Sequence, residues 1–306
     1  MLGRTTLSAV ERKDRRFAIF AATPAGLTIA ALFLYPLVYA FVLSLYELND
    51  KRPEATRVVG LANYVRLLGD DAFLASLART GVFCLFTVFG GVAFAVGMGV
   101  LLNQRFRGRA VARVLLLVPW AVPPVVNGIM WKLIFDGTYG VANSILMTLG
   151  IVDRPVQWLA VPDLTLGVLI FAEVWKLTPF LALMTIASLQ SIPANIYRAA
   201  SIDGAGSWQR FWRMTLPNLR GTIMFLLIVQ SMWSIKVFDS IYVLTGGSGG
   251  PAGATTTVNF LAYLTTFSYL DRGYGASMSI AIMVIVILVA AFWVLLLGRR
   301  DKETRR

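Results

Sequence analysis

Six long apolar runs, over residues 17–46, 74–102, 111–135, 164–189, 217–244 and 276–297, constrain this chain more than anything else in it. A helix crosses a bilayer with about 20 predominantly apolar residues. Each run is long enough to be read as a membrane-spanning helix. The fold class expected is an all-α membrane protein with six transmembrane helices. Composition agrees, because 57% of residues are apolar and 14% charged, where soluble domains carry roughly a quarter charged.

Residues 1–16 are polar and basic, with Arg4, Arg12, Lys13, Arg15 and Arg16. A basic start before an apolar run also describes a signal peptide. The run 17–46 is at least twice the length of an h-region, about 7–15 residues, and reads as a retained span. The expected organisation is a basic tail (1–16), a first span with an outer loop (17–73), a core of five spans (74–298) and a second basic tail (299–306). The second span is rich in glycine, which lets helices approach closely where packing replaces the hydrophobic drive. Pro119, Pro123 and Pro124 should kink the third, and the freed carbonyls must then face protein or water. Residues 136–163 form an outer loop. Gly246 to Pro251 is a flexible turn, and 255–270 is half apolar and reads as a short helical or interfacial piece.

Six spans put both termini on one side. That side carries 18 Lys and Arg, the opposite side nine, and Lys176 within a span completes the 28. The positive-inside rule places the termini in the cytoplasm. The same clustering beside apolar spans reads the +12 charge as a topology signal, with no nucleic acid as partner. Histidine is absent, which excludes imidazole catalysis and histidine-ligated metal. Cys84 is the single cysteine, so no internal disulfide forms, and no P-loop pattern occurs.

Between the fourth and fifth runs lies a polar, cationic stretch, Tyr197 to Pro217. Ala199 and Ala200 favour a helix, and Asp203-Gly204-Ala205-Gly206 breaks it. Ser207 is expected to cap a second short helix carrying Trp208, Phe211 and Trp212, with Arg210 and Arg213 beside them. Helix, glycine break and helix at a membrane surface make a knob that a soluble partner can grip. Ala199-Ala200, then Gly204 after three intervening residues, then Met214 after nine more and Leu216-Pro217, resembles the EAA motif of ABC-importer permeases. The flanks Gln190-Ser-Ile-Pro193 and Ile202-Asp-Gly-Ala205, together with Gly60-Leu-Ala-Asn-Tyr64 ahead of the second span, resemble the carbohydrate branch, the maltose-type permeases. Two departures stand out: Arg198 where the family usually has Glu, and Met214 where it has Ile. The first reverses a charge, so the family's polar contacts at that position do not carry over.

The resemblance implies a type I ABC importer permease fold with a cytoplasmic coupling helix. Contacts to the ATPase would come from Arg198, Ala199, Ala200, Asp203, Gly204, Ala205, Trp208, Phe211, Leu216 and Pro217. It implies a multi-pass subunit of a bacterial-type inner membrane that does no bond chemistry. ATP and Mg would sit on a partner ATPase, present in two copies. A second homologous permease, an extracytoplasmic sugar-binding protein and membrane lipid would complete the partners. A disaccharide such as trehalose or maltose is the implied cargo, with glycerol phosphate as the other candidate.

Ionisable groups inside a span tend to face the bundle interior or water. Glu173 lies about 24 Å from the end of its run at Leu189, and Gln230 about 20 Å from Pro217, at 1.5 Å per residue. Glu173, Leu177 and Phe180 share one helical stripe, and Gln230, Ser234 and Val237 another. Counted from the motif, both stripes resemble the sugar-lining faces of maltose-type permeases. Trp233 is adjacent, and Asn127 with Trp131 makes an i,i+4 pair on the third run. Carboxylates and amides bind sugar hydroxyls, and aromatic faces stack on sugar rings. Structural readings stay open beside these. Glu173 and Lys176, three apart, can neutralise each other. Gln230 can hydrogen-bond between helices, Trp131 and Trp233 can be packing or interface-belt residues, and Lys236 with Asp239 is a candidate structural pair. A secondary transporter driven by an ion gradient would need a carboxylate or histidine relay, and an intramembrane hydrolase a nucleophile with its base. For the first, Glu173 is the one secure intramembrane carboxylate and histidine is absent, so it stands as the weaker alternative; for the second, neither group is found.

Overall fold

In the computed structural model the described residues are 9–304, with side chains described over residues 17–296 apart from Ile19. The basic side chains at both ends, on which the charge count leans, lie outside that range. The chain divides into two compact units, residues 1–66 with 265–280, and residues 67–264 with 281–306.

In the first unit, α1 (Ala9–Ile29), a π-turn (Ala30–Leu34) and α2 (Tyr35–Ser44) follow one another as one rod, with Pro24 inside α1. Its apolar side chains are exposed, Phe20 at 77% and Phe33 at 70%, as a lipid-facing helix requires. A short hairpin, β1 (Tyr46–Glu47) with β2 (Arg57–Val58), follows in antiparallel register, Tyr46 opposite Val58. Asn63 donates to the carbonyls of Ser44 and Tyr46. Arg272 pairs with Asp50 at 2.6 Å and Arg66 with Asp271 at 3.3 Å. Gly273 is required here, because a Cβ would sit 2.1 Å from the Tyr46 carbonyl oxygen.

α3 (Ala62–Leu68) belongs mostly to the first unit; in the second, α4 (Asp71–Cys84) is capped by Asp70, whose carboxylate accepts from the amides of Ala72 and Phe73. A π-turn (Leu85–Gly90) joins α4 to α5 (Gly91–Asn103). Then come α6 (Arg109–Ala121), α7 (Pro124–Ile134), α8 (Val141–Thr148) and α9 (Pro162–Ser191). α6 and α7 meet at 95°. Pro123 and Pro124 withhold the amides a continuous helix would use, so the expected kink is a full break. α5 packs along α9, where Gly99 is pressed so close that a Cβ would lie 2.6 Å from Thr185 Cγ2. Val92, Ala95, Leu181, Ala182 and Leu226 fill the core between these helices.

Beyond the motif, α13 (Arg220–Ile235) ends well before Leu244. The expected continuous fifth span is instead a 16-residue helix, too short alone at about 24 Å for a core of about 30 Å. A break at Lys236 to Phe238 separates it from α14 (Asp239–Leu244). The half-apolar segment forms α15 (Val258–Tyr263) and a π-turn (Leu264–Ser268), and α16 (Arg272–Thr304) closes the chain. By length and composition, four helical stretches of the described residues can cross a membrane, and the bent α6–α7 pair makes a fifth.

Candidate functional site

α10 (Ala194–Ile202) carries the first half of the motif, and Gly204 stops it. With φ at +75°, Gly204 lets the Ala205 amide reach back to the Ala200 carbonyl at 2.9 Å. This left-handed turn closes helices and disfavours any residue with a Cβ. α11 (Ser207–Arg210), a π-turn (Phe211–Thr215) and α12 (Leu216–Asn218) complete the knob. Gly206, not Ser207, occupies the N-cap position, and no side chain caps α11. Ser207 instead accepts from Arg210, whose other nitrogen donates to Ser201 across the turn at 3.0 Å. Tyr197 and Thr215 close the base at 3.1 Å.

The motif residues divide by exposure. Ala200 is buried, Ala205, Phe211 and Leu216 are half-buried, and Arg198, Ala199, Asp203, Gly204 and Pro217 are exposed. Trp208 is 72% exposed although it lies against Phe211 and Trp212. Ile202, 86% exposed, stands at the same turn. The only described side-chain bond of Arg198 is a long one to Asn195, 3.5 Å. An apolar, cationic protrusion is thus braced from within and unpartnered on its outer face.

At the break between α13 and α14 a cleft of about 210 Å³ opens against α9. It brings together Glu173, Leu177, Trp233 and Ser234, and adds Lys176, Lys236, Asp239 and Ser240. Glu173 is 4% exposed and accepts from Lys176 at 3.1 Å and from the Ser240 hydroxyl. It therefore ties α9 to α14 as well as pairing with its i,i+3 neighbour. Lys236 and Asp239, at the rim, form no ion pair with each other, because the chain between them is broken and not helical. Ser234 bonds Thr87 on the π-turn at 2.8 Å.

The other sequence candidates stand behind this surface. Phe180 backs Trp233 at 5.5 Å between ring centroids and stacks on Trp120. Gln230 is fully buried, donates to the Thr87 carbonyl and leaves its Oε1 without a partner. Trp131 is packed among Phe135, Phe171 and Trp175 and donates to Asn127 at 3.0 Å. Lys236 and Asp239 enter the cleft through a break that no proline or glycine announces, so the sequence does not assign them to it.

A bundle of apolar helices, one broken pair, a discontinuous helix beside a polar cleft and a protruding helix–turn–helix define a membrane permease subunit. The chain belongs to the family of binding-protein-dependent transport system inner membrane components, whose pattern matches residues 91–302. The trehalose/maltose transport system permease protein of Thermococcus litoralis is 36% identical over 280 residues, 92% of this chain and 93% of that one. The sulfoquinovosyl glycerol transport system permease protein of Agrobacterium fabrum is 31% identical over 288 residues, 94% and 92% of the two chains. In fold, the chain is similar to a subunit of a bacterial ABC transporter involved in the import of the acidic polysaccharide alginate. That match has a TM-score of 0.80 and 20% identity, over 94% of this chain and 96% of that one.

Proposed function

We propose that this chain is one half of the translocation pore of an ATP-driven sugar importer, coupled to its ATPase through the knob at 197–217. The observation that carries the reading is the knob itself. Trp208, Trp212 and Ile202 are exposed at its tip while hydrogen bonds within it hold its shape. Large apolar side chains clustered outside the spans mark an interaction surface. Two ATPase copies, carrying ATP and Mg, a second homologous permease and an extracytoplasmic sugar-binding protein are the partners. The subunit makes and breaks no bonds of its own. Six spans with both termini cytoplasmic, in a bacterial-type inner membrane, put the knob on the ATPase side; the bent pair counts as one span and α13 with α14 as another. The tails 1–16 and 299–306 flank a first span with its loop (17–73) and a core (74–298).

In this reading ATP closes the ATPase dimer, the knob moves with it, and the helices open outward to receive ligand in the cleft. Trp233 offers a ring face, and Glu173, Lys236, Asp239 and Ser234 offer hydrogen bonds. Leu177 lines the wall, Phe180 orients Trp233, and Gln230, Asn127 and Trp131 hold the helices behind. The charges lining the cleft, two acidic and two basic, cancel. That balance favours a neutral disaccharide such as trehalose or maltose over a sulfonated glycoside or a sugar acid. The test is co-purification of the ATPase with the tagged chain in mild detergent. Trp208→Asp should release the ATPase and leave the chain in the membrane; retention of the ATPase by that variant would overturn the assignment of the knob.

A further inference from the structure

A second cavity, of about 530 Å³, lies in the same unit, lined by the loop after α7, the start of α9 and the glycine turn after α14. Three elements run from the cleft to it. On α7 the cleft has Pro124 and the cavity Lys132; on α9 they have Glu173 and Thr165. Along α14 the cleft has Asp239 and the cavity Leu244. At 1.5 Å per residue these separations are about 12, 12 and 8 Å. The two hollows therefore lie along one axis. On α7 between them the buried Asn127 has its Nδ2 unpartnered.

The walls are fixed. Asn143 accepts from the Val156 amide and the Trp158 indole and donates to the Val156 carbonyl, at 2.9–3.0 Å. Gly137 lets Gln157 lie across the loop, where a Cβ would sit 2.2 Å from Gln157 Oε1. Three of the functional groups facing the space are free, whereas the hydroxyls of Thr165, Thr245 and Ser248 donate to backbone carbonyls. Lys132 Nζ forms no ion pair within 4.0 Å, and the Gln157 amide and the Thr138 hydroxyl make no hydrogen bond among the described residues. Asp136 accepts the backbone amides of Thr138 and Tyr139 through one carboxylate oxygen, at 2.8 and 3.1 Å.

We propose that this cavity is a second ligand site, a transit station for a neutral polyhydroxylated ligand of disaccharide size on its way to the cleft. Lys132 and the Gln157 amide donate to hydroxyls, and Gln157 Oε1 and Asp136 accept from them. The ammonium and the carboxylate balance, so an acidic sugar gains nothing over a neutral one. No aromatic ring lines the space, so hydrogen bonds alone hold the ligand and retention is weak, which suits passage. The volume falls within the roughly 300–1,000 Å³ of ordinary small-molecule sites. The inference rests on the sugar-importer reading above.

The experiment places a cysteine at a lining position that contributes no ligand contact, Ala160→Cys in a Cys84→Ala background, in the full transporter reconstituted in nanodiscs without binding protein. The rate at which a small hydrophilic maleimide labels that cysteine is followed with trehalose, maltose or glucuronate. Millimolar trehalose or maltose should slow labelling several-fold, and glucuronate should have a smaller effect. Adding Lys132→Met should abolish the protection, whereas adding Trp233→Ala should leave it intact. Unchanged labelling with either disaccharide would overturn the proposal, as would protection lost with Trp233→Ala, which would trace it to the cleft. Protection by glucuronate that matches or exceeds the disaccharides would overturn the neutral-ligand assignment. Sugar uptake by the unsubstituted transporter keeps the outcomes apart. Uptake without protection sinks this site alone, and absence of uptake sinks the importer reading itself.

Discussion

Replacing Glu173 by alanine should destabilise the protein far more than the loss of one ligand contact would suggest. The Glu173 side chain is 5% exposed and that of Lys176 11%. Removing one partner of so buried a pair leaves a stranded charge, which costs about 3–5 kcal/mol. Ser240, 1% exposed, also loses its acceptor, adding about 1 kcal/mol. At 1.36 kcal/mol per decade, the opening equilibrium should shift by roughly three to four orders of magnitude. Lys176→Met alone should cost a comparable amount, because the carboxylate is then the stranded group. The double variant Glu173→Leu with Lys176→Met should recover most of the loss, since a buried pair exchanged for apolar residues of similar volume is often neutral. Cys84, the single cysteine and half-buried, provides the assay, through fluorogenic thiol labelling during thermal unfolding in detergent. Sugar uptake should stay low in the double variant although stability returns, because the cleft has lost both polar groups. Equal melting of Glu173→Ala and the unsubstituted protein, or a double variant as unstable as the sum of the singles, would refute the reasoning.

Three further outcomes are expected. Gly204 is open to solvent, with nothing within 4 Å of the position a Cβ would take, so substitutions there act through the backbone alone. Asn or Asp, which tolerate the left-handed region, should weaken ligand-stimulated ATP hydrolysis less than Val, whose conformational penalty is at least about 1–2 kcal/mol; equal activity across the series would contradict this. Arg198→Glu should impair ATPase assembly in a salt-dependent way if an acidic residue of the partner faces it, and wild-type co-purification at every salt concentration would show that the position is merely solvated. Asp136 is held below the usual carboxylate range by the Thr138 amide first, then by the Tyr139 amide, with Lys132 nearby. The folded value is depressed, so this contribution is present above the ordinary value of about 3.9 and is lost as pH falls through the folded one. The protection factors for hydrogen exchange at Thr138 and Tyr139, rates corrected for intrinsic pH dependence, should hold through neutral and mildly acidic pH and fall only below the ordinary carboxylate value of about 3.9.

The sequence makes the apolar runs, the proline break and the glycine turn legible because each is a local effect. A run needs only hydropathy, Pro123 and Pro124 withhold amides whatever their surroundings, and Gly204 takes a positive φ at little cost. The break at Lys236 to Phe238 is not legible, because its causes are distant. Asn259 donates to the Lys236 carbonyl at 2.9 Å, and Phe238 packs on Tyr242, Phe260 and Tyr263. The two residues that line the cleft rim, Lys236 and Asp239, follow from that break. Gln230 illustrates a second limit. The rise per residue gives its depth along the helix, but rotation about the axis decides whether it meets the cleft or Thr87. Capping is ambiguous for a related reason: Gly206 and Ser207 are both acceptable caps, and only the structure places Gly206 at the start of α11.

The central claim is tested most directly by uptake into proteoliposomes holding this chain with its second permease and its ATPase. Radiolabelled trehalose or maltose should accumulate only when the sugar-binding protein is outside and ATP inside, and uptake should persist when ionophores collapse every ion gradient. Uptake that continues without ATP and stops with the ionophore would contradict the account and identify an ion-coupled transporter instead.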